Sequence, residues 1–280
     1  MTIASDLTNR GFHVFKQWLN EGEITDFQDD YASDKAIDNN AYALGKVSPQ
    51  VLLSIKGKLT RLLESVKTEH VFAPNHLGGG AYFATEKGID FDWHQDHESL
   101  FIQQTHQDYL NIYVPIVKPN PTQSNLSIIP IDSWKAAAPE AWKLLEWQGA
   151  SSARTENGKT HISNDHSGGE RVTLNFPIDE ISETPCLNPG DALLLRGDMF
   201  HKTQDTQTNR AALSVRAWNN RHTVTRDHFL QTCEVKNAFK EKNKSMYSAI
   251  ASVFEAHRQL TIGELLVRSN ALTQQTTPDS

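Results

Sequence analysis

Tyr109-Leu110-Asn111-Ile112-Tyr113-Val114 alternates residue by residue. Leu110, Ile112 and Val114 share one face, and Tyr109, Asn111 and Tyr113 share the other, the two-residue period of a β-strand. One face is aliphatic and the other carries hydrogen-bonding tips. Such a strand packs outward against helices and lines a polar cavity inward. The pattern returns in Arg210-Ala211-Ala212-Leu213-Ser214-Val215-Arg216-Ala217-Trp218. There Arg210, Ala212, Ser214, Arg216 and Trp218 lie on one face, and Ala211, Leu213, Val215 and Ala217 on the other. Ala81-Tyr82-Phe83-Ala84-Thr85 reads as a short strand between a glycine break at 78–80 and a turn at Lys87-Gly88. Ala192-Leu193-Leu194-Leu195 reads as a buried strand after the turn Asn188-Pro189-Gly190-Asp191.

Between these strands lie the residues that carry chemistry. His94-Gln95-Asp96 follows Phe91-Asp92-Trp93, and His201 follows the turn at Gly197-Asp198. Two imidazoles and one carboxylate, arranged as a close pair and a distant third, are the ligand set of a mononuclear non-haem iron site that leaves its other positions open. His-x-Asp alone is a weak signal in a chain with 12 histidines and 34 acids. His97 and Glu98 stand beside it as decoys. The bland alternative is a polar turn with surface histidines; the two strand settings argue against it.

Arg210 adds a second requirement. On an inward face its guanidinium loses water and needs an anion. No acid occupies a neighbouring same-face position on its strand. A bound carboxylate would supply two parallel hydrogen bonds to the fork. The alternatives are a surface arginine, or one paired with an acid from another strand. Arg216 shares the face but lies about 20 Å further along at roughly 3.4 Å per residue, too far to grip the same small ligand.

Trp93-His94-Gln95-Asp96, the segment 108–115, Ser124-Asn125-Leu126-Ser127-Ile128-Ile129-Pro130, Pro189-Gly190-Asp191, His201 and Arg210-Ala211-Ala212-Leu213-Ser214 together resemble the phytanoyl-CoA hydroxylase-like branch of the Fe(II)/2-oxoglutarate-dependent dioxygenases. The opening Gly11-Phe12-His13-Val14-Phe15, followed by Glu21-Gly22-Glu23-Ile24, resembles the start of that branch. The resemblance runs over about residues 9–220, leaving 133–170 uncovered. It implies a mainly β fold with flanking helices around a double-stranded β-helix, or jelly roll. It implies His94, Asp96 and His201 as catalytic metal ligands for Fe(II). It implies Arg210 as the anchor of the far carboxylate of 2-oxoglutarate, helped by Thr203, Tyr82 and Asn111. The implied reaction uses O2, converts 2-oxoglutarate to succinate and CO2, and hydroxylates an aliphatic C–H of a small molecule. An acid at position 96 disfavours halogenation. Departures are Asn125, where glycine is usual, a short spacing between His201 and Arg210, and a long polar segment at 133–169. Tyr109, Tyr113, Arg216 and Trp218 are candidate substrate contacts. A jelly-roll binding protein with a non-catalytic metal, and a cupin-like metalloenzyme that does not use 2-oxoglutarate, remain alternatives.

Composition sets limits. At 280 residues the chain holds one jelly roll with flanking helices or two small domains. The reading adopted is a single domain over 1–280. It has a mostly helical region at 1–70, a core at 71–220 with an insertion at 133–170, and C-terminal helices at 227–268. A net charge of −7 argues against a nucleic-acid partner. No apolar run suggests a signal peptide or membrane span. Cys186 and Cys233 fit a reduced, cytoplasmic protein, with buried free thiols expected. Apolar spacing from Val51 to Val66 predicts an amphipathic helix. Trp134, Trp142 and Trp147 predict another, packed on the barrel or walling the pocket. Residues 148–169, with His161 and His166, read as a flexible loop or lid. The C-terminal helices either cover the barrel or form a homodimer face. The last residues, 270–280, read as a polar frayed end.

Overall fold

The computed structural model describes residues 2–33, 45–67, 73–85, 90–147, 150–164 and 170–275. The chain begins with α1 (Ile3–Asn9), β1 (Phe12–Phe15), α2 (Glu21–Ala32), β2 (Gly45–Lys46), α3 (Pro49–Ser54) and α4 (Lys56–Lys67). Next come β3 (His76–Ala84), α5 (His97–Phe101), β4 (Leu110–Val117), β5 (Leu126–Ile128), α6 (Ile131–Ala137) and α7 (Pro139–Leu145). Then follow β6 (Ser151–Glu156), β7 (Lys159–Asn164), β8 (Glu170–Leu174), β9 (Ala192–Arg196), β10 (His201–Thr203), β11 (Ala211–Trp218) and β12 (Thr223–Thr225). The tail holds α8 (Arg226–Leu230), α9 (Glu234–Lys242), α10 (Lys244–Ala256), β13 (Gln259–Thr261) and α11 (Ile262–Gln275).

Six strands form one antiparallel sheet in the order β1-β9-β4-β11-β3-β2. The opposing sheet is assembled from β5-β10 and β6-β7-β8, joined by single bridges from His94 to His201 and to Ser152. The two sheets make the jelly roll, and the alternation read from β4 and β11 decides what each face meets. Leu110, Ile112, Val114, Leu213, Val215 and Ala217 pack outward in one cluster with Leu59, Leu62, Leu63 and Val66 of α4. Tyr113, Leu193, Leu195 and Ala212 turn inward and meet Ile128, Phe200, Ala153 and Ile162 of the second sheet. Burying such side chains contributes about 1.5–3 kcal/mol each. α2 starts where its sequence dictates: Asn20 Oδ1 accepts from Glu23 N at 2.9 Å, and Glu23 Oε2 accepts from Asn20 N at 2.8 Å, a capping box.

Several expectations are corrected. The helix read from Val51 to Val66 is two helices, α3 and α4, parted at the buried Ile55. The tryptophan helix is also two, because Ala138 takes a non-helical conformation ahead of Pro139. Trp134 and Trp142 are buried in the inner core. The expected loop at 148–169 is largely the hairpin β6-β7, turned by Asn157 (φ 51°) and Gly158 (φ 75°), the left-handed pair of a tight two-residue hairpin. His166 and the turn at Lys87-Gly88 lie outside the described residues. The polar end is helical through Gln275, as part of α11. Both cysteines are free, but Cys186 is exposed. Among the described residues, no helix is long and apolar enough to cross a membrane.

Candidate metal centre

His94, Asp96 and His201 converge, each offering a ligand atom within 4.8 Å of the others. Backbone pairing brings them together. His94 N donates to His201 O and His201 N donates to His94 O, both at 3.0 Å, so the two rings sit 4.5 Å apart across the bridge. His94 Nδ1 lies 2.7 Å from Asp92 O, and His201 Nδ1 lies 3.0 Å from Met199 O. A carbonyl oxygen only accepts, so Nδ1 carries a proton in each ring, and in the neutral ring the lone pair lies on Nε2, facing the centre. Asp96 Oδ1 lies 4.0 Å from His201 Nε2, and Asp96 Oδ2 accepts from Asn111 Nδ2.

Electrostatics favour the ligand forms. Burial, helped by the neighbouring His201, lowers the pKa of His94 to about 3, against the pull of Asp96. Burial pushes Asp96 upward, but His201, Arg216, His94 and the Asn111 amide outweigh it and hold the carboxyl at about 2. At neutral pH the centre therefore presents neutral His94 and ionised Asp96, as metal binding requires.

A cavity of about 710 Å³ opens over this triad. Arg210 lines it and is 4 % exposed. Its Nη1 donates to Tyr113 Oη at 2.6 Å, its Nε has no partner, and among the described residues no carboxylate lies within ion-pair distance. Thr203 lines the same cavity, with its Oγ1 accepting from Phe91 N at 3.2 Å. Tyr113, Asn111 and Arg216 also face the cavity. The Asn111 Nδ2 donates to Asp96 and so steadies a ligand of the centre, while its Oδ1 has no hydrogen-bond partner among the described residues. Arg216 pairs with Glu98, Nε to Oε2 at 3.4 Å.

Three candidates fall elsewhere. Tyr82 is directly opposite Leu213, and opposite residues share a face, so it points into the outer core. Its Oη donates to Asp30 Oδ2 at 2.8 Å. Phe83 takes the cavity position instead. Tyr109 is fully buried beside Gly197 and behind Arg216, outside the cavity lining. Trp218 lies past a bulge in β11, stacks near His76 and donates to Asn220 Oδ1 at 2.8 Å. His161 is exposed beside Thr173 and does not join the centre. Because burial and Asp30 push Tyr82 well above the usual phenol range, it stays a donor. Tyr82→Phe is expected to lower stability by about 2 kcal/mol, as for a hydrogen bond to a charged group. Denaturant unfolding checks the loss; metal affinity should stay at wild type.

Other parts of the cavity had not been singled out from sequence. Ser152 and Arg154 come from β6, and Phe239, Lys242 and Asn243 from α9 and its end. The C-terminal tail thus lines one part of the cavity.

No family model matches the chain, and no curated protein matches it. Solved structures do. The chain is similar to the epimerase SnoN in complex with Fe3+, alpha ketoglutarate and nogalamycin RO, at 14% identity and TM-score 0.50, covering 78% of this chain and 83% of that one. It is similar to HygX from Streptomyces hygroscopicus with nickel and 2-oxoglutarate bound, at 17% identity and TM-score 0.48, covering 78% and 86%. It is also similar to EvdO2 from Micromonospora carbonacea var. aurantiaca complexed with 2-oxoglutarate, at 15% identity and TM-score 0.49, covering 77% and 89%. At such identities the SnoN likeness establishes the fold, a jelly-roll core with flanking helices. The phytanoyl-CoA hydroxylase-like branch itself rests on the quoted residues alone.

Proposed function

We propose that the chain is an Fe(II)/2-oxoglutarate-dependent oxygenase that uses O2 to hydroxylate an aliphatic C–H bond of a small molecule. One observation carries the reading: a buried guanidinium, that of Arg210, with no carboxylate at ion-pair distance among the described residues, shares a cavity with two imidazoles and a carboxylate. A buried cation without an anion is costly, and a keto-acid that also chelates the metal meets both needs.

His94 and His201 through Nε2, and Asp96 through its carboxylate, would hold the iron. Arg210 would fix the far carboxylate of 2-oxoglutarate, with the Tyr113 hydroxyl orienting the guanidinium and Thr203 beside it. Bound there, iron and keto-acid supply the oxidising power, with succinate and CO2 as by-products. The chain's own work is orientation and water exclusion. Phe83, Phe91 and Phe239 offer an apolar wall to the substrate, and Arg216 offers a polar or anionic handle a contact beside Asp96. SnoN is named an epimerase, so other oxidative outcomes are possible on the same scaffold. The chain is read as one domain working in the cytoplasm.

Succinate release from 2-oxoglutarate, followed anaerobically and then with O2, tests the reading. Arg210→Ala should raise the KM for 2-oxoglutarate about a hundredfold, the loss of one partner in a buried charge pair. Unchanged keto-acid kinetics would show that Arg210 is not the anchor; substrate oxidation that needs no keto-acid and survives Arg210→Ala would favour a metalloenzyme that does without it. No succinate at all from metal-loaded protein would favour a binding protein.

A further inference from the structure

Gln95 sits between two of the three candidate metal ligands and is fully buried. Its Nε2 lies 3.0 Å from Leu145 O and 2.8 Å from Asp198 O. Two carbonyl oxygens facing one atom require that atom to be the NH2 end of the amide, so both protons are used. Its backbone N donates to Ser151 O at 2.8 Å. One residue therefore ties the first ligand segment to the end of α7, to the start of β6 and to the turn that delivers His201.

That turn is held from its other side as well. The Asp198 carboxylate accepts from Arg196 Nε at 2.9 Å and Nη2 at 2.6 Å, and from Trp147 N at 3.1 Å. The Arg196 guanidinium lies 3.8 Å from the centre of the Trp147 ring. The backbone bridge between His94 and His201 sets the spacing of the two rings. Asp96, two residues further on, is held at its carboxylate by Asn111 and at its entry into the site by the Gln95 amide, locked against Asp198 O.

We infer that Gln95 is a positioning residue that couples the two halves of the ligand set by bonding Leu145 O and Asp198 O. The inference rests on the metal-centre reading above and adds a residue that contacts neither metal nor substrate. Losing a group that orients metal ligands weakens metal binding by about 10- to 100-fold.

The test uses full-length protein and Co(II) alone as the probe, with affinity from calorimetry and coordination from the visible absorption spectrum. Gln95→Met keeps the shape and removes both donors. It should bind Co(II) ten- to a hundredfold more weakly, with an altered spectrum. Gln95→Asn, with a shorter donor, should fall between it and wild type. Tyr82→Phe, on the opposite face of the large sheet, serves as the destabilised control and should keep wild-type affinity and spectrum. If Gln95→Met does not fold, the Gln95→Asn series decides. Wild-type affinity and spectrum in the folded Gln95 variants would overturn the inference. So would an equal weakening in Tyr82→Phe, which would mark general loss of stability. A wild-type protein that binds no Co(II) would overturn the metal-centre reading itself, a different and recognisable failure.

Discussion

His201→Ala is expected to abolish tight metal binding and to cut keto-acid turnover by roughly 10³-fold or more, because a two-imidazole, one-carboxylate face has no ligand to spare. The effect should be local. The hydrogen bonds that seat position 201 run through its backbone, to and from His94, and survive the loss of the ring. The pairing of β10 with β5 survives too. Circular dichroism and thermal unfolding of the metal-free protein should therefore match wild type within about 1 kcal/mol, while calorimetry with Fe(II) or Co(II) shows the loss. His97, the sequence neighbour that competes for notice, should behave otherwise: it is not among the converging trio. Near-normal metal affinity in His201→Ala would sink the centre as drawn.

Asp198→Ala should produce the largest loss of stability. Asp198 is fully buried and Arg196 is 3 % exposed. Deleting the acid takes two charge-assisted bonds from the buried Arg196 guanidinium and one from the Trp147 amide. Breaking one side of a buried pair costs about 3–5 kcal/mol, whereas replacing both sides with apolar groups is often near neutral. For a chain of this size each kcal/mol moves Tm by roughly 2–4 °C. The double variant Arg196→Met with Asp198→Leu should recover much of the loss in stability. A single variant within 1 kcal/mol of wild type would show that the pair is not buried as described.

What was legible in the sequence follows from periodicity. β4 and β11 announced their faces because one face of each is aliphatic throughout, and every inward residue named from them except Tyr109 and Trp218 does line the cavity or the inner core. The ligand trio was legible because its members sit beside turns, His201 at the start of β10 and Asp96 at the cap of α5. Tyr82 was misread for want of a register: three glycines precede it, so its own strand gives no alternation, and only pairing with Leu213 fixes its side. The hairpin β6-β7 was misread because Ser, Thr and Asn dominate it. Yet Asn157-Gly158 was a usable signal, since both positions need positive φ and that dipeptide supplies it. The link from Gln95 to Asp198 had no local signature at all, since it joins backbone carbonyls far apart in the chain.

Part of the wall over the triad is borrowed from β6 and α9, outside the segments that carry His94, His201 and Arg210. Under the proposed function, some of the surface that meets the substrate is thus encoded apart from the residues that would hold iron and keto-acid. On that reading, drift in the hairpin or in the tail would revise what is admitted without disturbing the triad beneath, so descendants of one ancestral gene would keep a common chemistry and diverge in diet.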